Sequence, residues 1–319
     1  MTSSGIRALV VRRPGGVEAL ELAVMPRREL GPQDVRIRVE AAGINPVDAA
    51  NRADPTWARI EAPYVVGYEC SGLILEAGSF VDDLREGDAV WALLPVRDTR
   101  WGTNADELVV DASLASPRPE SLNAIEAAAV PLAGATALQL LDRLDPQSGE
   151  WMLVHGPAGG VGHLLVQLAR TRGARVAGVA SPARHELLRS LGVEIVVDRF
   201  HDEAIRAAHD AAGADFPVVV DLVGTRLAAS LPFTAEGGRA GTIVDLTGDF
   251  EEAIDRNVTL HGVLVRPGRS VLRRLADLVH DGRLFPVIDE VLSFDDRERA
   301  HRRIESGSGQ GKLVFSVAS

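Results

Sequence analysis

An α/β fold, with a doubly wound parallel sheet and a second, mainly antiparallel β domain, is predicted by three features of this 319-residue chain. An apolar strand pattern, Trp151 to His155, runs into a glycine-rich turn and then an apolar helix. Strand and helix patterns alternate after that turn, whereas short β segments separated by turns precede it. Alternation of this kind builds parallel sheets, and runs of short strands build antiparallel ones.

The turn reads Gly156-Pro157-Ala158-Gly159-Gly160-Val161-Gly162. Gly156, Gly159 and Gly162 let the chain turn tightly, let backbone N–H groups approach a diphosphate, and let the next helix pack close to the strand. That helix, His163 to Arg172, directs its partial positive charge at the anion. Glycine-rich turns also occur where nothing binds, so the flanking order decides. Arg175 to Val179 reads as a second strand, Ala183 to Leu191 as a second helix and Glu194 to Val197 as a third strand. This is the βαβαβ order of a Rossmann dinucleotide-binding domain.

An NAD site carries an acid near the end of the second strand, where it accepts hydrogen bonds from the ribose 2′-hydroxyl. Here the segment is Gly178-Val179-Ala180-Ser181-Pro182-Ala183-Arg184, without a carboxylate. A hydroxyl at Ser181 and a guanidinium at Arg184 suit a 2′-phosphate, so NADPH is the expected coenzyme. The competing reading makes Ser181 a helix cap and Arg184 a solvated surface residue in a chain whose only lysine is Lys312.

Composition narrows the remaining classes. A chain that is 46% hydrophobic and 25% charged buries a full core and holds one large or two ordinary domains. Its net charge of −11 argues against a nucleic-acid partner. No run approaches the roughly 20 apolar residues of a membrane span, and the first residues lack a signal-peptide pattern, so the expected location is cytoplasmic. Cys70, the single cysteine, can form no internal disulfide and reads as a small buried residue.

The early β segments are Ile6 to Val11, Asp34 to Ala42, Cys70 to Ala77, Asp88 to Leu94 and Ala105 to Val110, bounded by turns such as Gly31-Pro32 and Glu86-Gly87-Asp88. Val218 to Leu222, Gly238 to Val244 and Thr259 to Val265 supply three more strands and complete a six-stranded doubly wound sheet. A helix from Ser270 to His280 follows, and Val287 to Leu292 and Leu313 to Val317 return to β sequence. The expected domains are therefore residues 125–266 for the dinucleotide and a discontinuous domain of residues 1–124 and 267–319.

With these pieces in place the chain resembles, nearly end to end, a zinc-independent quinone oxidoreductase-like member of the medium-chain dehydrogenase/reductase superfamily. The resemblance rests on Gly43-Ile44-Asn45-Pro46-Val47-Asp48, Gly67-Tyr68-Glu69-Cys70-Ser71-Gly72, Glu86-Gly87-Asp88-Ala89-Val90, the stretch Ala127 to Ala137, the glycine turn, Ala300 to Glu305, and Gly311-Lys312-Leu313-Val314. It implies a GroES-like β domain beside the Rossmann domain. It also implies that the catalytic zinc ligands of the superfamily's alcohol dehydrogenases fall here on Asn45, Tyr68 and Leu132, a set that does not suit zinc. No metal is expected. Without a Lewis acid, the reaction most easily supported is hydride addition to an already electrophilic conjugated carbonyl compound.

By the same resemblance, Asn45 and Thr136 lie near the nicotinamide, Val263 to Val265 offer it backbone groups, Asp245 to Thr247 line the neighbouring wall, and Val223, Leu246, Val263 and Val265 join the cofactor contacts. Asn45 is otherwise a turn residue before Pro46, and Thr136 a helix-interior hydroxyl bonded to its own backbone. Tyr68 stands where the zinc histidine would be and Asp48 where a carboxylate orients it, which makes Tyr68 a candidate donor to the substrate oxygen or, alternatively, a pocket wall. Arg199 supports the adenine or the 2′-phosphate, or is a surface arginine; Trp57 and Trp101 frame the substrate mouth, or are packing aromatics. The family's usual tyrosines after the Asn-Pro motif and after the third strand are absent.

The implied activities are NADPH-dependent reduction of a quinone or of an activated C=C bond in the manner of enoyl reductases. The alternative is an NADPH-binding structural or sensing protein without turnover. Thr259 to Val265 is apolar enough to be the edge that pairs two subunits, so a homodimer is expected.

Overall fold

In the first strands, buried residues cluster where each one meets its neighbours. β1 (Ile6–Val11) pairs antiparallel with β2 (Leu20–Met25) in the register Ile6↔Met25 to Val11↔Leu20. β3 (Asp34–Ile44) leads through Asn45 into α1 (Pro46–Ala53). The two-residue β4 (Tyr64–Val65) adds to β1, and β5 (Glu69–Ala77), β6 (Ala89–Leu93), β7 (Glu107–Asp111) and β8 (Ala115–Pro117) follow. Then come α2 (Ala124–Ala128) and α3 (Pro131–Leu144). The computed structural model describes residues 5–244 and 246–317. The chain forms two units: Met1–Ala135 with Arg266–Gly282 and Pro286–Ser319, and Thr136–Val265 with Arg283–Phe285.

The second unit is built on β9 (Trp151–His155), whose five residues are all buried. α4 (Gly162–Thr171), β10 (Arg175–Ala180), α5 (His185–Ser190), β11 (Ile195–Asp198), α6 (Ala204–Ala212), β12 (Phe216–Asp221), α7 (Leu227–Ser230), β13 (Thr234–Thr242), α8 (Glu251–Asp255) and β14 (Thr259–Gly262) follow in order. The sheet runs β11-β10-β9-β12-β13-β14 and every pairing is parallel. That is the doubly wound Rossmann order, in which the strand sequence reverses beside β9. Leu153, Ala177, Phe216, Val219 and Leu231 form its core with helix residues such as Ala208. Each fully buried Leu, Val or Phe side chain among them stabilises the unit by about 1.5–3 kcal/mol.

The chain then rejoins the first unit. α9 (Arg269–His280), β15 (Ile288–Leu292), α10 (Arg297–Glu305) and β16 (Lys312–Ser316) complete it. β16 pairs antiparallel with the last four residues of β3, from Leu313↔Ile44 to Ser316↔Ala41, while β7 pairs with the first five. The larger sheet has the order β15-β16-β3-β5-β6-β8 and is antiparallel except for β15 with β16. Leu9, Ile44, Tyr64, Phe294 and Phe315 meet in one core, so segments from both ends of the chain share it.

Several boundaries differ from the pattern in the sequence. β2 was not expected as a strand; it lies at a sheet edge, where only Leu20 and Met25 are fully buried. The segment expected as a strand from Thr259 to Val265 stops at Gly262, because β13 ends at Thr242 and offers no further ladder partner. The expected helix Ala183 to Leu191 is a 3-10 turn, Pro182–Arg184, followed by the short α5, since Pro182 fixes the start of the turn. Cys70 is buried. Among the described residues no helix is long and apolar enough to cross a membrane.

Candidate active site

In the second unit the glycine turn sits at the C-terminal end of β9, the central strand. Gly156 has φ +76°, a backbone state that residues with a Cβ rarely adopt. A Cβ at Gly162 would stand 2.2 Å from the Gly156 carbonyl oxygen, so only glycine lets the start of α4 approach the turn this closely. Gly159 donates to Gly156 O at 3.2 Å and holds the turn shut, and a Cβ on Gly159 would meet only that oxygen within 4 Å. Ala158 is buried, while Gly159, Gly160 and Val161 remain half-buried. No side chain caps α4 at its N-terminal end. This donor-lined, uncapped turn fits a dinucleotide pyrophosphate.

At the end of β10 the structure places Ser181 first before the Pro182–Arg184 turn, with no cap hydrogen bond from its hydroxyl. The helix-cap reading of Ser181 therefore has no bond to support it. Arg184 is half-buried on the same turn. Arg199 follows β11, is exposed, and stacks its guanidinium 4.7 Å from the Phe200 ring centroid.

Asp221 organises the loop after β12. It is fully buried, and its two carboxylate oxygens accept from the backbone N–H groups of Val223, Gly224, Arg226 and Leu227 at 2.7–3.0 Å. Four such bonds fix the loop that carries Val223. Thr247 Oγ1 donates to Gly224 O at 2.7 Å and ties a second loop, that of Leu246, to the first. Val223 and Leu246, large apolar side chains, are both more than half exposed. Asp245 lies outside the described residues. Val263 spends its N–H on Thr242 O at 3.0 Å, and Val265 is buried, so the Val263 N–H is not on offer to a carboxamide.

Thr136 is buried within α3.

The first unit gathers the other candidates around α1. Asn45 is extended, with φ −134° and ψ 154°, and Pro46 occupies the first helical position, where its missing N–H costs nothing. Asp48, three residues into the turn, reaches back and accepts the Asn45 N–H at 2.7 Å. Asn45 is thus the cap residue, as the turn reading of the sequence held, but its amide serves elsewhere. Asn45 Nδ2 donates to Glu69 Oε1 at 2.8 Å, and Asn45 Oδ1 accepts from Lys312 Nζ.

Lys312 and Glu69 are the centre of this cluster. Lys312 Nζ lies 2.7 Å from Glu69 Oε1 and 3.2 Å from Ile44 O, and Glu69 Oε2 accepts the Leu132 N–H at 2.7 Å. Asn45 and Leu132, two of the three positions on which the resemblance places the zinc ligands of alcohol dehydrogenases, are therefore joined by a lysine–glutamate pair. Neither Asn45, Tyr68 nor Leu132 offers thiolate, imidazole or carboxylate. Glu69 and Lys312 were not expected as site residues, although a sole lysine opening the apolar strand Leu313–Phe315 was a visible sign.

Tyr68, the third position, is 3% exposed, and its hydroxyl accepts a short hydrogen bond from Asn51 Nδ2. Burial, then the nearby Asp48 charge, pushes the phenol well above its ordinary value and keeps it protonated. Asp48 itself is fully buried, and burial raises its carboxyl to about 7 against the pull of the Asn45 N–H and the Lys312 charge. Tyr68, Asp48 and Asn45 are brought together as expected neighbours; Asn51, one turn beyond Asp48, was missed. Arg52 fastens the far end of α1 to α10, contacting His301 Nδ1 at 3.0 Å and the Glu305 carboxylate. Trp57 is 40% exposed beneath the Arg97 guanidinium, and Trp101 lies between Arg28 and Arg100, each within 6 Å of its ring.

Comparison with known proteins agrees with this geometry. Residues 31–116 match the family described as alcohol dehydrogenase GroES-like domain, and residues 191–315 that described as zinc-binding dehydrogenase. The chain is 33% identical to the NADPH-dependent alkenal/one oxidoreductase, chloroplastic, of Arabidopsis thaliana, over 97% of this chain and 79% of that protein. The quinone oxidoreductase from Coxiella burnetii superimposes with a TM-score of 0.89 at 29% identity, covering 98% of this chain and 99% of the other. The CurK enoyl reductase gives a TM-score of 0.88 at 25% identity, covering 98% and 100%. With two such matching regions, this sheet order and these relatives, the chain belongs to the medium-chain dehydrogenase/reductase superfamily of NAD(P)H oxidoreductases, among its quinone oxidoreductase-like members.

Proposed function

We propose that this protein is an NADPH-dependent oxidoreductase that delivers hydride, without a metal, to a conjugated carbonyl compound, either a quinone or an activated C=C bond. The observation that carries the reading is the make-up of the three zinc-ligand positions. Asn45 and Leu132 are engaged with the buried Lys312–Glu69 pair, and Tyr68 presents a protonated hydroxyl. Polarisation of a substrate oxygen then falls to a hydrogen-bond donor. A conjugated acceptor needs no stronger activation, and the names of relatives that act on alkenals, quinones and enoyl groups point the same way.

NADPH, when bound, supplies the hydride. The glycine turn and α4 hold the pyrophosphate, and Ser181 and Arg184 receive the 2′-phosphate. The Asp221-anchored loop would present Val223 to the bound coenzyme. Tyr68 donates its hydroxyl hydrogen to the oxygen that gains charge as hydride adds to the conjugated carbon. The enolate or quinolate oxygen formed takes one proton from water, directly or through Tyr68, which ends protonated, and that proton balances the hydride.

The test is coenzyme oxidation with panels of quinones, enones and enoyl thioesters, beside Tyr68→Phe. General acid assistance is worth about 10²–10⁴ in rate, so the variant is expected to lose at least tenfold in turnover with unchanged NADPH affinity. Unchanged turnover rejects the donor role; tight NADPH binding with no turnover of any panel member favours the sensing role. A stoichiometric bound transition metal overturns the metal-free reading.

Among the described residues β14 has one sheet partner, β13, and ends the strand order. We assign this edge to pairing with a second copy, giving a homodimer; a monomer by light scattering at micromolar concentration contradicts it.

A further inference from the structure

We propose that Asn51 is a positioning residue that commits the Tyr68 hydroxyl to donating outward. The inference rests on Tyr68 as the donor in the reaction proposed above.

Asn51 serves the protein's only two tyrosines, Tyr64 and Tyr68, in opposite senses. Tyr64 Oη donates to the Asn51 backbone carbonyl at 2.6 Å, so that phenol has given its hydrogen to the protein. Tyr68 Oη instead accepts from Asn51 Nδ2. A phenol has one hydrogen. Tyr68 therefore keeps its own, with no acceptor for it among the described residues, while the lone pair that would otherwise compete is occupied.

The orientation of the amide decides this. The Val96 carbonyl, which can only accept, lies 3.5 Å from Asn51 Nδ2, on the nitrogen side. Turning the amide over would bring Asn51 Oδ1 against that carbonyl and let it take the Tyr68 hydrogen. The two orientations are a donor-available and a donor-consumed state of the same tyrosine. In the observed one, Asn51 Oδ1 and, one helical turn back, Asp48 Oδ1 are fully buried without a hydrogen-bond partner. Buried polar groups rarely go unpaired. Asn51 Oδ1 can only accept, and Asp48, whether it accepts or donates, makes no hydrogen bond with the Tyr68 hydroxyl.

Asn51 is completely buried in α1, and α1 is fixed at one end by the Asp48–Asn45 bond and at the other by Arg52 with His301 and Glu305. The amide is thus carried on a clamped helix. Preorganised donors of this kind lose little on reorientation as charge develops.

The experiment has one arm that needs no activity. Tyrosine labelled with 13C at Cζ gives two resonances, assigned with Tyr64→Phe. The expected wild-type pattern is a Tyr68 signal displaced to the accepting side of the Tyr64 signal, which belongs to a donor. Two signals with the same donating signature overturn the proposal whether or not the protein turns over any substrate. The second arm is kinetic. Asn51→Asp keeps the shape but replaces the donor with an acceptor, and it is expected to lower kcat at least tenfold with little change in KM for NADPH. Placed in the Tyr68→Phe background, the same substitution is expected to change kcat by less than twofold. An equal loss in both backgrounds, or no loss in the wild type, overturns the role of Asn51. A wild type inactive on every conjugated carbonyl tested defeats the proposed reaction instead, and the resonance arm still decides the orientation of the amide.

Discussion

Lys312 and Glu69 form an ion pair of 2.7 Å whose side chains are 2% and 0% exposed. The carboxylate is shared among three donors, the Lys312 ammonium, the Asn45 amide and the Leu132 N–H. Removing one partner of such a pair costs about 3–5 kcal/mol, because the other charge stays buried without compensation. Lys312→Met is therefore expected to lower the unfolding free energy by that amount in urea titrations. A loss below about 1 kcal/mol, the range of an exposed pair, would show that the pair is not sealed from water.

Gly162→Ala is expected to abolish measurable NADPH binding in titration calorimetry. The added Cβ falls 2.2 Å from the Gly156 carbonyl and within 3 Å of Pro157 backbone atoms, so the turn or the start of α4 must move. Gly213→Ala is the control: its Cβ meets nothing within 4 Å, though its φ of +69° leaves strain. It should lose stability and retain coenzyme. Retained binding in Gly162→Ala would remove the turn from the coenzyme site.

Ser181→Asp places a carboxylate where a 2′-phosphate is expected. It should reverse the coenzyme preference, weakening NADPH by tenfold or more, equivalent to about 1.4 kcal/mol, while NADH binds no worse. Arg184→Ala should weaken NADPH alone. Equal effects of either change on both coenzymes would point to packing rather than phosphate recognition.

Acid stability depends on two buried histidines and one buried carboxyl. Burial depresses His155 to about 4 and His301 to about 3, from an ordinary 6.5. Both are neutral when folded, so their contribution is full above about 6.5 and is lost as pH falls through the folded values. Asp48 has the opposite sign. Its folded value of about 7 exceeds the ordinary 3.8, so its contribution is present below about 3.8 and is lost as pH rises through 7. Between about pH 4 and 6.5 the two histidines outweigh the carboxyl, and these three groups together raise stability by about 1.4 kcal/mol per pH unit. Asp48→Asn should steepen this acid limb and stabilise the protein at pH 8. Chemical denaturation across pH 4–8 measures both; an unchanged slope would show that Asp48 is not held protonated.

Much of this molecule was legible from its residues. The parallel unit was readable in its strand order, though not in every boundary, since the buried central strand opens with the apolar run Trp151–Val154 and the glycine spacing marks the turn after it. The antiparallel unit was readable in part. β2 and β8 lie at sheet edges and β4 has two residues, so their sequences carry little alternation to recognise. The candidate site was legible where residue type is distinctive, as at Tyr68 and Asp48. Asn51, Glu69 and Lys312 were not, because their roles arise from long-range closure: Lys312 meets Asn45 across 267 positions of sequence. No local pattern encodes such a contact. Asp221 escaped for a different reason, since an acid after an apolar strand looks like any strand end until its four backbone partners are seen.

That closure has a bearing on biosynthesis. Glu69 leaves the ribosome 243 residues ahead of the ammonium that neutralises it. At typical elongation rates of about 5–20 residues per second, the carboxylate waits roughly 12–50 s for its counterion. During that interval the glutamate has every reason to stay hydrated, and the β3–β16 seam cannot zip. The dinucleotide unit, whose six strands all lie within residues 136–265 and which is complete by residue 285, is free to mature first, so a nascent protein stalled before residue 312 should already hold coenzyme while its α1 region remains open to proteases.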